Sequence, residues 1–478
     1  MLDRARIDEL AAGMRGDVVR PGDPAYDDTR RVYNGMIDRH PALIARCEDV
    51  ADVIAAVRFG VDRDLDIAIR GGGHNAGGLG VCDAGLVVDL GGMRGVRVDP
   101  QTRRARAEGG CLLRDVDHAT HAFGLATPVG FISTTGLAGL LLGGGTGHLT
   151  RKYGLTIDNL ISADVVLADG KLVHASADEH ADLFWALRGG GGNFGVVTSF
   201  ELALHPVDTV IAGPTMWPLD RSFEVMQWYR EFILGAPEDL NGFFAFLVVP
   251  PVAPYPPELH GKKVCAVVWC WLGAAEDANA AFEPIRAMNP MLFGLQPMPL
   301  PALDRVFDPL YPPGWQWYWR ADFVESIPDA AIDLHIDYAE MLPTPYSTMH
   351  LYPSDGAAQR VDPHATAYSY REANWNQVIV GVDPDPANRQ LIADWTRGYW
   401  AALHPHSLGG AYVNFLMDDE GADRTRATYR DNYPRLAAIK RIYDPENRFH
   451  INKNIAPDVE AEAPTEASSP ERVPPAPA

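Results

Sequence analysis

Three glycine clusters in the first 200 or so of its 478 residues restrict what this chain can fold into. Consecutive glycines carry no side chains for a core and weaken both helices and strands, so each cluster reads as a turn between regular elements. The first, Arg70-Gly71-Gly72-Gly73-His74-Asn75-Ala76-Gly77-Gly78-Leu79-Gly80, has six glycines in the ten residues after Arg70. Alternating apolar residues at 65–69 and 86–90 predict a strand on either side. Such a turn lets the backbone approach a ligand closely and present N–H groups to an anion. His74 sits at its centre.

The second cluster runs from Gly130 to Gly147, where seven glycines interrupt an apolar run and argue against an ordinary core helix. The third, Arg188–Gly195, lies between a short helix over 181–187 and a strand over 196–202. A dinucleotide-binding Rossmann unit does not explain these turns. It needs G-x-G-x-x-G between a strand and a helix, with an acidic residue about 20 positions on, whereas the first turn leads into a strand.

The remaining chain supplies a frame for the turns. An amphipathic helix is expected over the first ten residues, a second over 47–59, with Val50, Val53, Ile54 and Val57 at helical spacing, and a third over 112–123. Residues 96–98 with 104–107, and 160–168 with 172–175, read as hairpins. From about Pro206 the glycine clusters give way to Pro and aromatic residues. Strand-like runs (243–249, 264–272) then alternate with helical ones (223–232, 277–288), as in a mixed α+β domain. Trp315, Trp317, Tyr318, Trp319 and Phe323 crowd one segment, either as packing beneath a sheet or as the wall of a substrate site. The last 21 residues, 458–478, lack apolar periodicity and read as a disordered tail.

A formal charge of −22 without a basic block argues against nucleic acid and anionic membranes as partners. Five cysteines without metal-ligand spacing suggest a reducing compartment and no metal site. No run approaches the roughly 18 apolar residues of a membrane helix, and the start does not resemble a signal peptide. A cytoplasmic protein is the expectation.

Six blocks resemble, in order, the berberine-bridge-enzyme-like branch of the vanillyl-alcohol-oxidase (PCMH-type) FAD-linked oxidases. They are Arg70-Gly-Gly-Gly-His74-Asn75; Gly143-Gly-Gly-Thr-Gly147; Tyr153-Gly-Leu-Thr-Ile-Asp158-Asn159; Leu183-Phe-Trp-Ala-Leu-Arg188-Gly-Gly-Gly-Gly192; Ala411-Tyr412-Val413-Asn414; and Tyr443-Asp444-Pro445-Glu446-Asn447-Arg448-Phe449. The resemblance spans Tyr33-Asn34 to Ile455 and implies an α+β fold in two parts. A PCMH-type FAD-binding domain would cover 1–206, completed by 410–457. An α+β substrate domain over 207–409 would lay an antiparallel sheet over the flavin.

It also implies FAD bound covalently through His74. The cofactor would lie among Arg70, Gly71, Gly72, Gly73, Asn75, Thr135, Gly136, Gly139, Gly143, Gly144, Thr146, Gly147, Gly195, Val197, Asn414, Asn452 and Asn454. Many relatives carry a second tether, a cysteine in G-x-C-x-x-x-G. The matching segment is Gly130-Phe131-Ile132-Ser133-Thr134-Thr135-Gly136, where Ile132 cannot form a thioether. His74 is therefore expected to be the only link, and nothing promotes Cys111 to that role.

Family members pass a hydride from a substrate carbon to flavin N5 while a base takes a proton. The candidates for that base are Tyr370, Tyr412, Tyr352 and His350. In Met349-His350-Leu351-Tyr352 the alternation puts His350 and Tyr352 on one strand face, and Tyr368-Ser369-Tyr370 repeats the pattern. A nicotine-oxidising bacterial branch has a lysine and two acidic residues where this chain has Thr348, His350 and Tyr352, which removes support for a cationic amine. The expectation is oxidation of a C–OH (or C–N) carbon of a small molecule, such as a sugar or secondary metabolite, by a monomer or homodimer. Oxygen or another acceptor would take the electrons. The alternative is a flavoprotein that binds or redox-processes an antibiotic.

Overall fold

The alternating segments that flank the first glycine turn pair with each other. In the computed structural model, which describes residues 3–252 and 255–457, Ile67–Arg70 and Leu86–Asp89 run parallel, Arg70 opposite Asp89. Leu43–Arg46 lies parallel on the other side of Leu86–Asp89, and Val18–Val19 closes a four-stranded sheet. Parallel strands need a crossover, and the helix Val50–Val61 provides it. Asp49 caps it by accepting from Asp52 N, while Val53, Ala56 and Val57 bury against Leu43, Ile67 and Leu86. The N-terminal helix is Arg4–Gly13. The expected tail, 458–478, lies outside the described residues.

Both predicted hairpins form. Val96–Asp99 with Arg104–Glu108, and Leu160–Val166 with Leu172–Ser176, flank Val196–Ala203 in an antiparallel five-stranded sheet. The second glycine cluster is not wholly irregular: Leu137–Leu142 makes a short helix between Gly136 and Gly143. Its apolar residues Leu137 and Leu141 are fully buried, and that burial outweighs the helix cost of Gly139.

An eight-stranded sheet dominates the chain after Pro206. Along its path lie Leu292–Phe293, Thr209–Pro218, Lys263–Trp271, Leu240–Val248, Thr348–Pro353, Trp375–Asp383 and Gln316–Val324, antiparallel throughout, with Gln296–Pro299 paired to the second of these. Because successive side chains alternate faces, Phe244, Phe246, Met349, Leu351 and Ile379 bury under the helices Ser222–Gly235, Asp329–Glu340 and Arg389–Leu403. Phe243, Trp317, Trp319, Tyr352, Val378 and Val380 face the other way and share a core with the first half of the chain.

The C-terminal segment returns to the third glycine cluster. Lys440, fully buried on the helix Tyr433–Tyr443, donates to Asp444 Oδ2 (2.6 Å), Asn193 O (2.6 Å) and Phe449 O (2.9 Å). Asn193 Oδ1 accepts from Ile455 N, and Asn452 donates to Gly192 O. Among the described residues no helix is long and apolar enough to cross a membrane.

Candidate active site

The glycine clusters, the C-terminal segment and the open face of the large sheet converge on one cavity. Arg70, Gly71, Gly72, Gly73, His74, Asn75, Thr135, Gly136, Gly139, Thr146, Gly195, Val197, Asn452 and Lys453 line one side. Trp317, Trp319, Thr348, His350, Tyr352, Val378 and Val380 line the other, with Tyr33, Phe131, Tyr311 and Phe415 between. At Gly72 a Cβ would sit 2.5 Å from Gly136 N and 2.6 Å from its Cα, so the first two glycine turns meet backbone to backbone. Gly73, at φ +65°, takes the left-handed conformation that turns the chain toward His74.

Arg70 and Lys453 are the charged side chains of the lining, and no carboxylate shares it. Arg70 is buried and donates to Asp89 Oδ2 at 2.8 Å, its partner in strand register. Lys453 donates to Met417 O, and burial pushes its ammonium below the usual lysine range.

His74 stacks on Tyr33, ring centroids 3.8 Å apart and planes 20° apart. Its Nε2 is buried without a hydrogen-bond partner. Burial pushes the imidazole down to about 4, so it is neutral near pH 7. A neutral imidazole fixed by stacking has a free lone pair on one of its two ring nitrogens, which nucleophilic attack requires.

The strand Thr348–Pro353 confirms the alternation read from its sequence. Tyr352 Oη lies 2.6 Å from His350 Nδ1, His350 Nε2 lies 3.0 Å from Thr348 Oγ1, and Thr348 donates to Phe246 O at 2.7 Å. Burial pushes His350 down to about 3 and Tyr352 above the usual phenol range. Tyr352 stacks on Phe131 at 4.3 Å.

The other two tyrosines fare differently. Tyr412 lines the cavity, but its oxygen accepts from Gly145 N and Asn414 Nδ2, both at 2.7 Å, and Asn414 also donates to Leu140 O. These groups brace the second glycine turn. Tyr370 is not in the lining. Residues 368–370 are irregular rather than a strand, and Tyr370 stacks on Phe323 at 4.4 Å while donating to Ala427 O. Its expected place near the substrate is therefore corrected.

Gly143, Gly144, Gly147 and Asn454 also stand outside the lining. Gly143 packs on Asn414, Gly144 on Tyr368 and Tyr412, and Gly147 on the Val129 carbonyl, so each serves close packing behind the cavity. Asn454 Oδ1 is buried without a partner. The aromatic cluster divides: Trp317 and Trp319 form the wall, whereas Tyr318 donates to Asp419 and Trp315 packs on Tyr346. Phe131, Tyr311 and Lys453 escaped sequence reasoning because they come from turns and coil with no periodic signal. Ile132 lines the cavity.

These residues fit a flavin dinucleotide. At Gly139 and Gly192 a Cβ would meet no protein atom within 4 Å, so these backbones face open cavity, the lining carries no carboxylate to oppose an anionic cofactor, and Thr146 Oγ1, Asn452 Oδ1 and His74 Nε2 are buried polar atoms without partners.

Comparison with known proteins agrees. Residues 41–176 match the FAD binding domain family and residues 411–456 the berberine and berberine-like family. The chain is 30% identical over 472 residues to (R)-6-hydroxynicotine oxidase of Paenarthrobacter nicotinovorans, covering 93% of this chain and 97% of the relative. It is 29% identical over 457 residues to an FAD-linked oxidoreductase of Dictyostelium discoideum, covering 94% and 97%. The solved structure of 6-hydroxy-D-nicotine oxidase from Arthrobacter nicotinovorans superposes with a TM-score of 0.83 at 27% identity, over 93% of this chain and 98% of the other. Glucooligosaccharide oxidase of Acremonium strictum, described with a 6-S-cysteinyl, 8α-N1-histidyl FAD, shares the fold at 24% identity and a TM-score of 0.83, over 95% and 99%.

Proposed function

The chain belongs to the berberine-like family of FAD-linked oxidoreductases, and we propose that it oxidises the C–OH carbon of a neutral small molecule with its flavin linked through His74 alone. The observation that carries this reading is the contrast between the cavity's two sides. A glycine cradle with cationic side chains faces a wall of Trp, Tyr, His, Thr and Val that bears no charged group. Such a wall offers nothing to pair with a cationic amine, whose buried charge would go uncompensated.

When bound, FAD supplies the two-electron acceptor for the substrate's hydride. Arg70, Lys453 and the backbone of Gly71–Gly73 would hold its anionic part, and His74, neutral and stacked on Tyr33, would form the bond to the ring. Ile132 offers no second nucleophile. Trp317, Trp319 and Phe131 exclude water from the reacting centre. Tyr352 is the base favoured by geometry, because its hydroxyl is paired with an imidazole, while the Tyr412 oxygen already accepts two hydrogen bonds. Oxygen or another acceptor would reoxidise the cofactor. We read 1–206 with 410–457 as the cofactor domain and 207–409 as the substrate domain. Five buried unpaired cysteines suit a cytoplasmic protein.

Anaerobic incubation with a panel of sugars, aromatic alcohols, amines and quinone antibiotics tests the function. Bleaching of the flavin by neutral alcohols is expected. Bleaching by amines alone would refute the reading, and tight binding of an antibiotic without bleaching would favour a sequestering flavoprotein.

A further inference from the structure

We propose that Thr348 and His350 act on the reaction through Tyr352, forming a relay that takes the substrate's proton into the sheet. The relay rests on the alcohol-oxidation reading above. Its direction follows from hydrogen counting. The single hydroxyl hydrogen of Thr348 is committed to Phe246 O, a backbone carbonyl that can only accept. Thr348 Oγ1 can therefore meet His350 Nε2 only as an acceptor, which places the imidazole hydrogen on Nε2. A neutral imidazole protonated at Nε2 has a bare lone pair at Nδ1, so Tyr352 must donate to it. The phenolic oxygen is left with its lone pairs for the cavity.

Packing holds this order in place. Residues 348, 350 and 352 share one face of a strand that is paired on both edges, Ala245 and Val378 standing opposite His350. Phe243 packs 5.5 Å from the imidazole and Phe131 stacks on the Tyr352 ring. Burial alone sets the shift of His350, and Tyr311 is the further titratable group that acts on Tyr352. The imidazole is thus neutral across the ordinary working range of pH, with its Nδ1 lone pair held against the Tyr352 hydroxyl.

In the oxidation the substrate O–H bond breaks toward Tyr352 Oη as the Tyr352 O–H bond breaks toward His350 Nδ1. The substrate C–H pair leaves as hydride to the oxidised flavin, and the carbonyl forms. One proton then resides on His350, a charged state that burial makes transient and that discharges back through Tyr352 Oη to the cavity, and one hydride on the cofactor, which accounts for both hydrogens removed. Tyr352 is the catalytic residue. His350 and Thr348 are positioning residues, Thr348 by fixing the tautomer that lets Tyr352 point its hydrogen inward.

The test is the tautomer of His350 in flavin-loaded protein labelled with [15N]histidine, its signals identified by their loss in His350→Gln. The relay predicts the Nε2–H tautomer, unchanged between about pH 5 and pH 8. Thr348→Val, which removes the acceptor at nearly constant shape, should mix the tautomers, and Thr348→Ser should restore a single one. With benzyl alcohol or another bleaching alcohol of the panel, Thr348→Val should slow flavin reduction about tenfold or more, with Thr348→Ser close to wild type. An Nδ1–H imidazole, titration near the ordinary histidine value of about 6.5, or wild-type reduction rates in Thr348→Val would overturn the relay. Wild-type protein left oxidised by every alcohol would instead overturn the alcohol reading on which it rests.

Discussion

Replacing Arg151 by methionine should loosen the large sheet from the glycine turns. Arg151 leaves the second glycine cluster on the short helix Thr150–Tyr153 and is 1% exposed. Its Nε and Nη2 donate to the two oxygens of Asp355 at 2.8 and 2.9 Å. The remaining hydrogens reach the carbonyls of Ala236 (3.1 Å), Pro237 (3.1 Å) and Leu240. All five guanidinium donors are used, a geometry that lysine cannot reproduce. Methionine retains an apolar stem but leaves a buried carboxylate without its cation, at about 3–5 kcal/mol. Three carbonyls also lose a partner, which brings the expected loss to about 4–6 kcal/mol. Asp355→Asn in the same background removes the stranded charge, so the double variant should be less destabilised than the sum of the singles by about 1–3 kcal/mol. Urea unfolding of the flavin-loaded protein, followed by flavin fluorescence and circular dichroism, measures each corner of the cycle. An Arg151→Met variant within about 1 kcal/mol of wild type would show that the clamp contributes nothing, and a strictly additive double variant would show that its pairing with Asp355 does not.

Tyr352→Phe preserves the stack on Phe131 and removes only the hydroxyl, so flavin reduction by a bleaching alcohol should slow by about 10²–10⁴-fold. Tyr370→Phe should alter that rate little, and stopped-flow reduction of the two variants side by side decides between them. Gly72→Ala drives a Cβ into the backbone of Gly136, which cannot yield as a side chain could. The purified variant should be largely flavin-free by its absorbance ratio. Burial pushes the Asp117 carboxyl up to about 7, and burial together with Asp117 raises Asp304 well above the usual range. A carboxyl raised above its unfolded value stabilises the fold at low pH and loses that contribution as pH rises through the folded value. Thermal unfolding midpoints should therefore fall in wild type as pH rises from about 4, the ordinary carboxyl value, toward about 7. Asp117→Asn should flatten that fall, and parallel pH profiles for the two proteins would contradict the assignment.

The glycine-lined side of the cavity was legible because its chemistry is local. Gly72, Gly73 and His74 lie in one turn, and period-two alternation placed the strands on either side. The same alternation correctly paired His350 with Tyr352. It failed at Tyr370, since Tyr368-Ser369-Tyr370 has the spacing of a strand without the ladder partners that make one. A ring at such a position settles where it finds a partner, here Phe323. Phe131, Tyr311 and Lys453 were invisible for the converse reason: they reach the cavity through long-range packing of turns, which no local pattern records. The reading of the second cluster's glycines as arguing against an ordinary core helix also missed the short Leu137–Leu142, where buried leucines outweigh a single glycine's cost of about 1 kcal/mol.

Acid precipitation tests the central claim most directly. Wild-type protein precipitated with acid should carry its yellow flavin into the pellet, and a His74→Ala variant should release all of it to the supernatant while still binding FAD before precipitation. Flavin retained in the His74→Ala pellet, or lost from the wild-type one, would contradict the account.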